Sequence, residues 1–281
     1  MKNLIKFGKK IFPICRSITG NGTLLTLREI KKNYLKNLKI KKIPSRKKVF
    51  DWRIPDEWNI KYAYVIDKNS KKIIDFKINN LHVINYSEPQ NKIINKKQLL
   101  AKLNFINDYP DAIPYVTSYY KKNFGFNISY NQKKKLKPGL YRAFINSYFE
   151  NGNLLIGEKI LKGNTNKEFL ISSYLCHPSM ANNELSGPLV LLGLYEKIKS
   201  WKKRRLNYKF VLNPETIGSI CYLHKYKKQI KKKLIGGLVL TCLGGPKKKL
   251  SFKKTRDDNS EINKFFEYFE EKKLCEVREY T

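Results

Sequence analysis

Between residues 23 and 38 apolar side chains recur at helical spacing (Leu25, Leu27, Ile30, Leu35, Leu38), with Glu29 early and lysines late. The pattern predicts an amphipathic helix whose end charges suit its dipole. From about residue 47 to 87 the rhythm changes. Short alternating runs at 62–66, 72–76 and 82–86 are broken by turns such as 67–70, which predicts a small antiparallel β module. Residues 96–103 predict a short helix. Residues 141–149 and 154–161, joined by Glu150-Asn151-Gly152-Asn153, predict a β-hairpin.

After residue 165 strands and helices alternate. Strands are predicted at 169–175, 208–212, 234–242 and 274–280, and helices at 186–201, 217–231 and 259–272. Nearly continuous apolar strands alternating with amphipathic helices imply a largely parallel sheet covered on both faces. The expected fold class is therefore α/β, a mostly parallel sheet sandwiched by helices, with a small inserted antiparallel β domain. Residues 1–47 and 116–281 are assigned to the α/β domain and 48–115 to the insert.

Composition narrows the function classes. Apolar residues are 41% and aromatics 13% of 281 residues, too rich for a disordered chain. No apolar run approaches the roughly 20 residues of a membrane span. Residues 1–20 are basic, but their apolar stretch is short and lacks a small-residue cleavage site, so they read as mature protein. Five scattered cysteines without paired spacing point to a reducing cytoplasm. The net charge of +35 points at first to nucleic acid. Only nine of the 58 basic residues are arginine, however, and nucleic-acid readers favour arginine. Abundant Lys, Asn and Ile fit an A/T-rich coding bias, and lysine runs such as 133–135 and 231–233 sit at segment ends. A solvated basic surface is the preferred reading, and nucleic acid is not the expected partner.

In parallel sheets ligands bind beyond the carboxyl ends of the strands. His177 follows one predicted strand directly. Glu215 follows the next, in Asn213-Pro214-Glu215-Thr216-Ile217-Gly218. The segment Asn182-Asn183-Glu184-Leu185-Ser186-Gly187 precedes a helix and faces the same edge. A histidine and two carboxylates there suit a zinc site with a carboxylate general base. Each signal has a plainer reading. A lone histidine at a strand end is more often a capping or hydrogen-bonding residue, Glu215 serves equally as a charge at a helix start, and Asn182 as an N-cap. Their shared edge brings the metal reading level with these. His82, in an alternating run, and His224, on a helix, read as structural. Ser173 or Ser179 beside His177 lacks the G-x-S-x-G elbow of a serine hydrolase.

In combination these segments resemble a known family. The segments are Arg16-Ser17-Ile18-Thr19-Gly20, Asp51-Trp52-Arg53-Ile54-Pro55-Asp56-Glu57-Trp58, Asn80-Leu81-His82, Ile113-Pro114-Tyr115 with the residues to Tyr120, Cys176-His177-Pro178 with the residues to Pro188, and Pro214-Glu215-Thr216-Ile217-Gly218-Ser219. The chain is similar over its whole length to the aminopeptidase-like family of bacterial surface-polysaccharide gene clusters. That family resembles zinc exopeptidases of the leucyl-aminopeptidase type, with an inserted β domain and an appended winged helix. The resemblance implies one or two zinc ions, His177 as first ligand, and Glu215 as base or ligand. It aligns the bridging carboxylate with Asn183, here an amide, leaving Glu184 as the neighbouring carboxylate. It also implies an acidic residue where Gly245 stands, and a continuation after Thr281 holding a later histidine ligand, so the chain is expected to be a C-terminally truncated relative.

Three functions compete. One is a zinc-dependent hydrolase of an amide or peptide bond, acting on a small peptide or aminoacyl-sugar-like substrate and impaired by the lost ligands. A second is a non-catalytic binding relative or gene fragment. A basic nucleic-acid-associated protein is the third and weakest. A truncated sheet is also expected to leave an unpaired edge, with homo-oligomerisation as a risk.

Overall fold

The computed structural model describes residues 3–246 and 249–280. Its main sheet has five strands in the order Lys39–Pro44, Asn153–Leu161, Asn207–Asn213, Glu168–Tyr174, Leu234–Val239. The last three run parallel, and the first two pairings are antiparallel. Successive residues of one strand face opposite layers, as the two-residue period of a strand requires. Phe210 and Leu212 enter a core with Leu27 and Ile30 of helix Asn21–Asn33 and Leu191 and Leu192 of helix Ser186–Lys199. Val211, between them, joins Ile217, Cys221 and Tyr222 of helix Ile217–Lys233 on the other face. The sheet is thus sandwiched by helices, as the apolar runs after residue 165 predict. No helix among the described residues is long and apolar enough to cross a membrane.

A second sheet has four strands in the order Lys72–Asp75, Glu57–Asp67, Leu140–Glu150, Gln90–Asn95, all antiparallel. Its core holds Ala63, Val65, Ile74, Ala143 and Ile145. One expectation is corrected here. Leu140–Glu150 and Asn153–Leu161 do not form a hairpin; the turn between them passes the chain from the small sheet to the main one. The turn is tied to the small sheet, because Asn153 donates its N–H to Glu57 Oε2 at 3.0 Å. Asn153–Leu161 is then buried along most of its length between two helical layers, as an internal strand must be. A second correction concerns residues 82–86. Asn80–His82 is a single 3₁₀ turn, with Asn79 accepting from the Leu81 N–H at 2.9 Å, and the segment beyond it makes only isolated bridges.

Leu234–Val239 ends the main sheet. Its outer side pairs with no strand among the described residues, and Ile235 and Val239 are exposed. Beyond it, Leu250–Lys253 and Cys275–Arg278 form a parallel pair flanked by helix Glu261–Glu271.

The site-bearing helix Ser186–Lys199 is locked to the sheet by Gly187. A Cβ there would come within 2.2 Å of the Leu240 carbonyl and 2.4 Å of Ser173 Oγ. Gly187→Ala is expected to cost about 1–3 kcal/mol, the usual penalty of forced overpacking. Urea denaturation of the variant measures it, and an unchanged midpoint would show that the helix start shifts freely.

Candidate metal centre

Three strand exits form one rim. Glu168–Tyr174 leads into Cys176 and His177, Asn207–Asn213 into Glu215, and Leu234–Val239 into Cys242. Each exit contains a non-glycine residue in the left-handed region: Ser179 at φ 42°, Thr216 at φ 50° and Cys242 at φ 52°. Such backbone is costly for these side chains and clusters at functional sites.

The structure brings all four predicted residues around the His177 ring. His177 is 8% exposed and Glu184 is fully enclosed. Nδ1 of His177 lies 2.7 Å from Glu184 Oε1 and 3.2 Å from Asn183 Oδ1. Nε2 lies 3.5 Å from Glu215 Oε2. The second oxygen of Glu184 accepts the Cys176 N–H at 2.7 Å, so both its oxygens are engaged. Asn183 Nδ2 donates to the Tyr174 hydroxyl at 3.2 Å, and that hydroxyl bonds Thr241 across the rim. The Glu215 side chain is 42% exposed, so it is the carboxylate of the set that reaches solvent. Burial alone would lower the His177 pKa, but the Glu184 hydrogen bond and charge, with the charge of Glu215, raise it above the ordinary value.

The 3.5 Å between His177 Nε2 and Glu215 Oε2 is long for a hydrogen bond. It is near the about 3.3 Å between two donors on a tetrahedral ion with bonds of roughly 2.0–2.1 Å. Cys176, His177 and Glu184 also have donor atoms within 4.8 Å of one another. Burial holds the Cys176 thiol well above the ordinary range, and so protonated, and Glu184 is spent on Nδ1 and the backbone. His177 Nε2 and Glu215 Oε2 therefore offer two of the three protein ligands that a single catalytic zinc takes. The donors do not fit a pair of ions, because Asn183 is neutral and Gly245 has no side chain.

His82 and His224 stand outside the rim. His82 Nδ1 meets the Asn127 carbonyl at 2.8 Å, and His224 packs against Phe50, both structural roles. Two neighbours of the ring carried no role in the sequence reading. Tyr115 packs over His177 with centroids 4.5 Å apart, and Arg16 Nε donates to the His177 carbonyl at 3.0 Å. The aromatic run at 115–120 and the arginine of Arg16-Ser17-Ile18-Thr19-Gly20 were the signals available for them.

Comparison with known proteins follows the same lines. The family described as a domain of unknown function (DUF4910) matches residues 5–281. A Clostridium acetobutylicum protein named for polysaccharide biosynthesis and an aminopeptidase-like domain is 43% identical over 265 residues, 94% of this chain and 59% of that protein. A crystal structure described as a peptidase from the same organism is 38% identical, with a TM-score of 0.93 over 99% of this chain and 65% of that one. A zinc aminopeptidase from Bacillus subtilis shares the fold at 13% identity, with a TM-score of 0.66 over 99% of this chain and 77% of its own. The chain thus spans about three fifths of the length of the curated relative.

Proposed function

Because this chain belongs to the family described as a domain of unknown function (DUF4910), and its fold is that of the zinc aminopeptidases, we propose that it is a zinc-dependent hydrolase of an amide or peptide bond. The observation that carries the reading is the His177 Nε2 and Glu215 Oε2 pair, held at ligand spacing on the strand-exit rim. Zinc, when bound there, supplies a Lewis acid for the scissile carbonyl. The protein's own groups divide the remaining work. Glu184 fixes the His177 ring through Nδ1 and leaves Nε2 toward the site, the usual task of a carboxylate behind a ligating histidine. Glu215 holds the ion through Oε2, and its second oxygen is the one left to take a proton from the attacking water and return it to the leaving amine. Tyr115 covers one face of the His177 ring and keeps water from it.

The name of the 43% identical relative supports a setting in polysaccharide biosynthesis, with an aminoacyl sugar as substrate. The five free cysteines support a reducing compartment such as the cytoplasm. A second reading, a binding protein without turnover, is favoured by one observation: Asn183 presents an amide beside His177 where a second ion would need a charge.

Calorimetric zinc titration and turnover of an aminoacyl-amide panel separate the two. The expected result is one zinc site, weakened at least about 10–100-fold by His177→Ala, with slow turnover lost in Glu215→Gln. Zinc binding without turnover would favour the second reading. Zinc affinity unchanged by His177→Ala would end both.

A further inference from the structure

Arg16 is wholly enclosed, as is Glu184. Its Nε donates to the His177 carbonyl at 3.0 Å, and its Nη1 donates at 2.7 Å to the carbonyl of Ile11, the last residue of helix Leu4–Ile11. The other terminal nitrogen, Nη2, is buried without a hydrogen-bond partner. The Arg16 carbonyl is itself held by Asn85 Nδ2 at 3.0 Å. A cation so enclosed needs a nearby anion, because burying an uncompensated charge is costly. The groups whose charge would act on Arg16 are Glu184, Cys15 and Cys176. Of these only Glu184 is a carboxylate, and it lies in the same enclosed cluster. Its two oxygens are already turned to the Cys176 N–H and the His177 ring. Arg16 therefore holds the backbone of the residue whose ring Glu184 grips.

We propose that Arg16 is a positioning residue for His177. Its guanidinium fixes the His177 carbonyl and supplies the buried positive charge opposite Glu184, so that Glu184 holds Nδ1–H and Nε2 is the nitrogen left open toward Glu215. The proposal rests on the reading of His177 as the nitrogen donor of the site, but its consequences appear in the metal-free protein. Arginine suits the task better than lysine because its planar fork serves two carbonyls while its charge stays delocalised.

Only three histidines are present, so nitrogen-15 labelling of histidine resolves each ring. The measurement is made without metal, at a pH where the rings are neutral. The wild-type chain is expected to show His177 protonated at Nδ1. Arg16→Met should lose that single tautomer, giving the mixture of a free imidazole, while the His82 pattern set by Asn127 persists. Arg16→Lys, which keeps the charge, should restore most of it. A wild-type His177 protonated at Nε2, or an Arg16→Met chain with an unchanged His177 and an intact His82, overturns the proposal. If Arg16→Met loses the His82 pattern too, the double variant Arg16→Met with Glu184→Gln decides. Recovery of His82 supports charge pairing, and continued loss makes Arg16 a packing residue and ends the proposal. Failure of the zinc reading looks different: the wild-type Nε2 resonance would not move on adding Zn²⁺, whatever the Arg16 variants do.

Discussion

Glu184→Ala is expected to destabilise the chain by about 1–3 kcal/mol, the cost of leaving a buried donor unmet. Two effects act together. The Cys176 N–H loses its acceptor inside the protein, where an unmet donor costs far more than a solvated one, and His177 Nδ1 keeps only Asn183 Oδ1 at 3.2 Å. Arg16, fully enclosed and already carrying one unpartnered nitrogen, loses its compensating anion. Glu184→Gln keeps the shape and one acceptor oxygen, so it should cost less than alanine but still leave Arg16 uncompensated. Urea unfolding of the three chains at neutral pH is the measurement. A loss under about 1 kcal/mol for alanine would place the pair among exposed ion pairs of little worth and remove the electrostatic account of the site.

Asn183→Asp is expected to raise zinc affinity about tenfold, since a carboxylate on the Nδ1 side of a ligating histidine raises the basicity of its Nε2 and such supporting partners are worth roughly 10–100-fold. Asn183 already lies beside the His177 ring, and the Tyr174 hydroxyl, 3.2 Å from its amide nitrogen, can turn to donate to a new carboxylate oxygen. Without metal the change should be harmful, because the new charge sits next to Glu184 in sequence and within the same cluster. The signature is therefore a lower melting temperature in chelator and a larger rise on adding Zn²⁺ than in the wild type. Competition against a chromophoric chelator gives the affinity. An affinity equal to or below that of the wild-type chain would mean that position 183 does not act through the His177 ring.

The second half of the fold was legible because its strands carry short apolar runs and its helices one polar face. Phe169-Leu170-Ile171 and Phe210-Val211-Leu212 lie inside 168–174 and 207–213, and such runs have few places to go but a sheet covered on both faces. The edge strands were not legible. Lysine and amide side chains make up three of six residues in Lys39–Pro44 and four of six in Gln90–Asn95, because one side of each meets water, and that hides their β character. The false hairpin has a related cause. Glu150-Asn151-Gly152-Asn153 is a sound turn signal, but a turn is local and sheet membership is not. Tyr141, Ala143 and Ile145 bury themselves in the small core, whereas Leu154 and Ile156 enter the large one. At the site, His177 and Glu215 stood out because their types and their strand-end positions agree. Arg16 did not, since nothing in Arg16-Ser17-Ile18-Thr19-Gly20 says that its guanidinium ends 161 residues away, on the carbonyl of His177.

Ser179, Thr216 and Cys242, the three left-handed residues on the rim, also shape the chain before it folds. Glycine would adopt these angles freely, but it would enlarge the unfolded ensemble and raise the entropy lost on folding by roughly 0.4–1 kcal/mol per position. A side chain there has the opposite balance: about 1–2 kcal/mol of native strain, set against fewer conformations to give up. The net penalty is small, and the geometry obtained is single-valued, because neighbouring backbone and side chains, rather than a permissive residue, hold each exit loop. The rim therefore carries a small net strain that contacts in the folded state offset, and part of it is returned as a smaller entropy lost on folding.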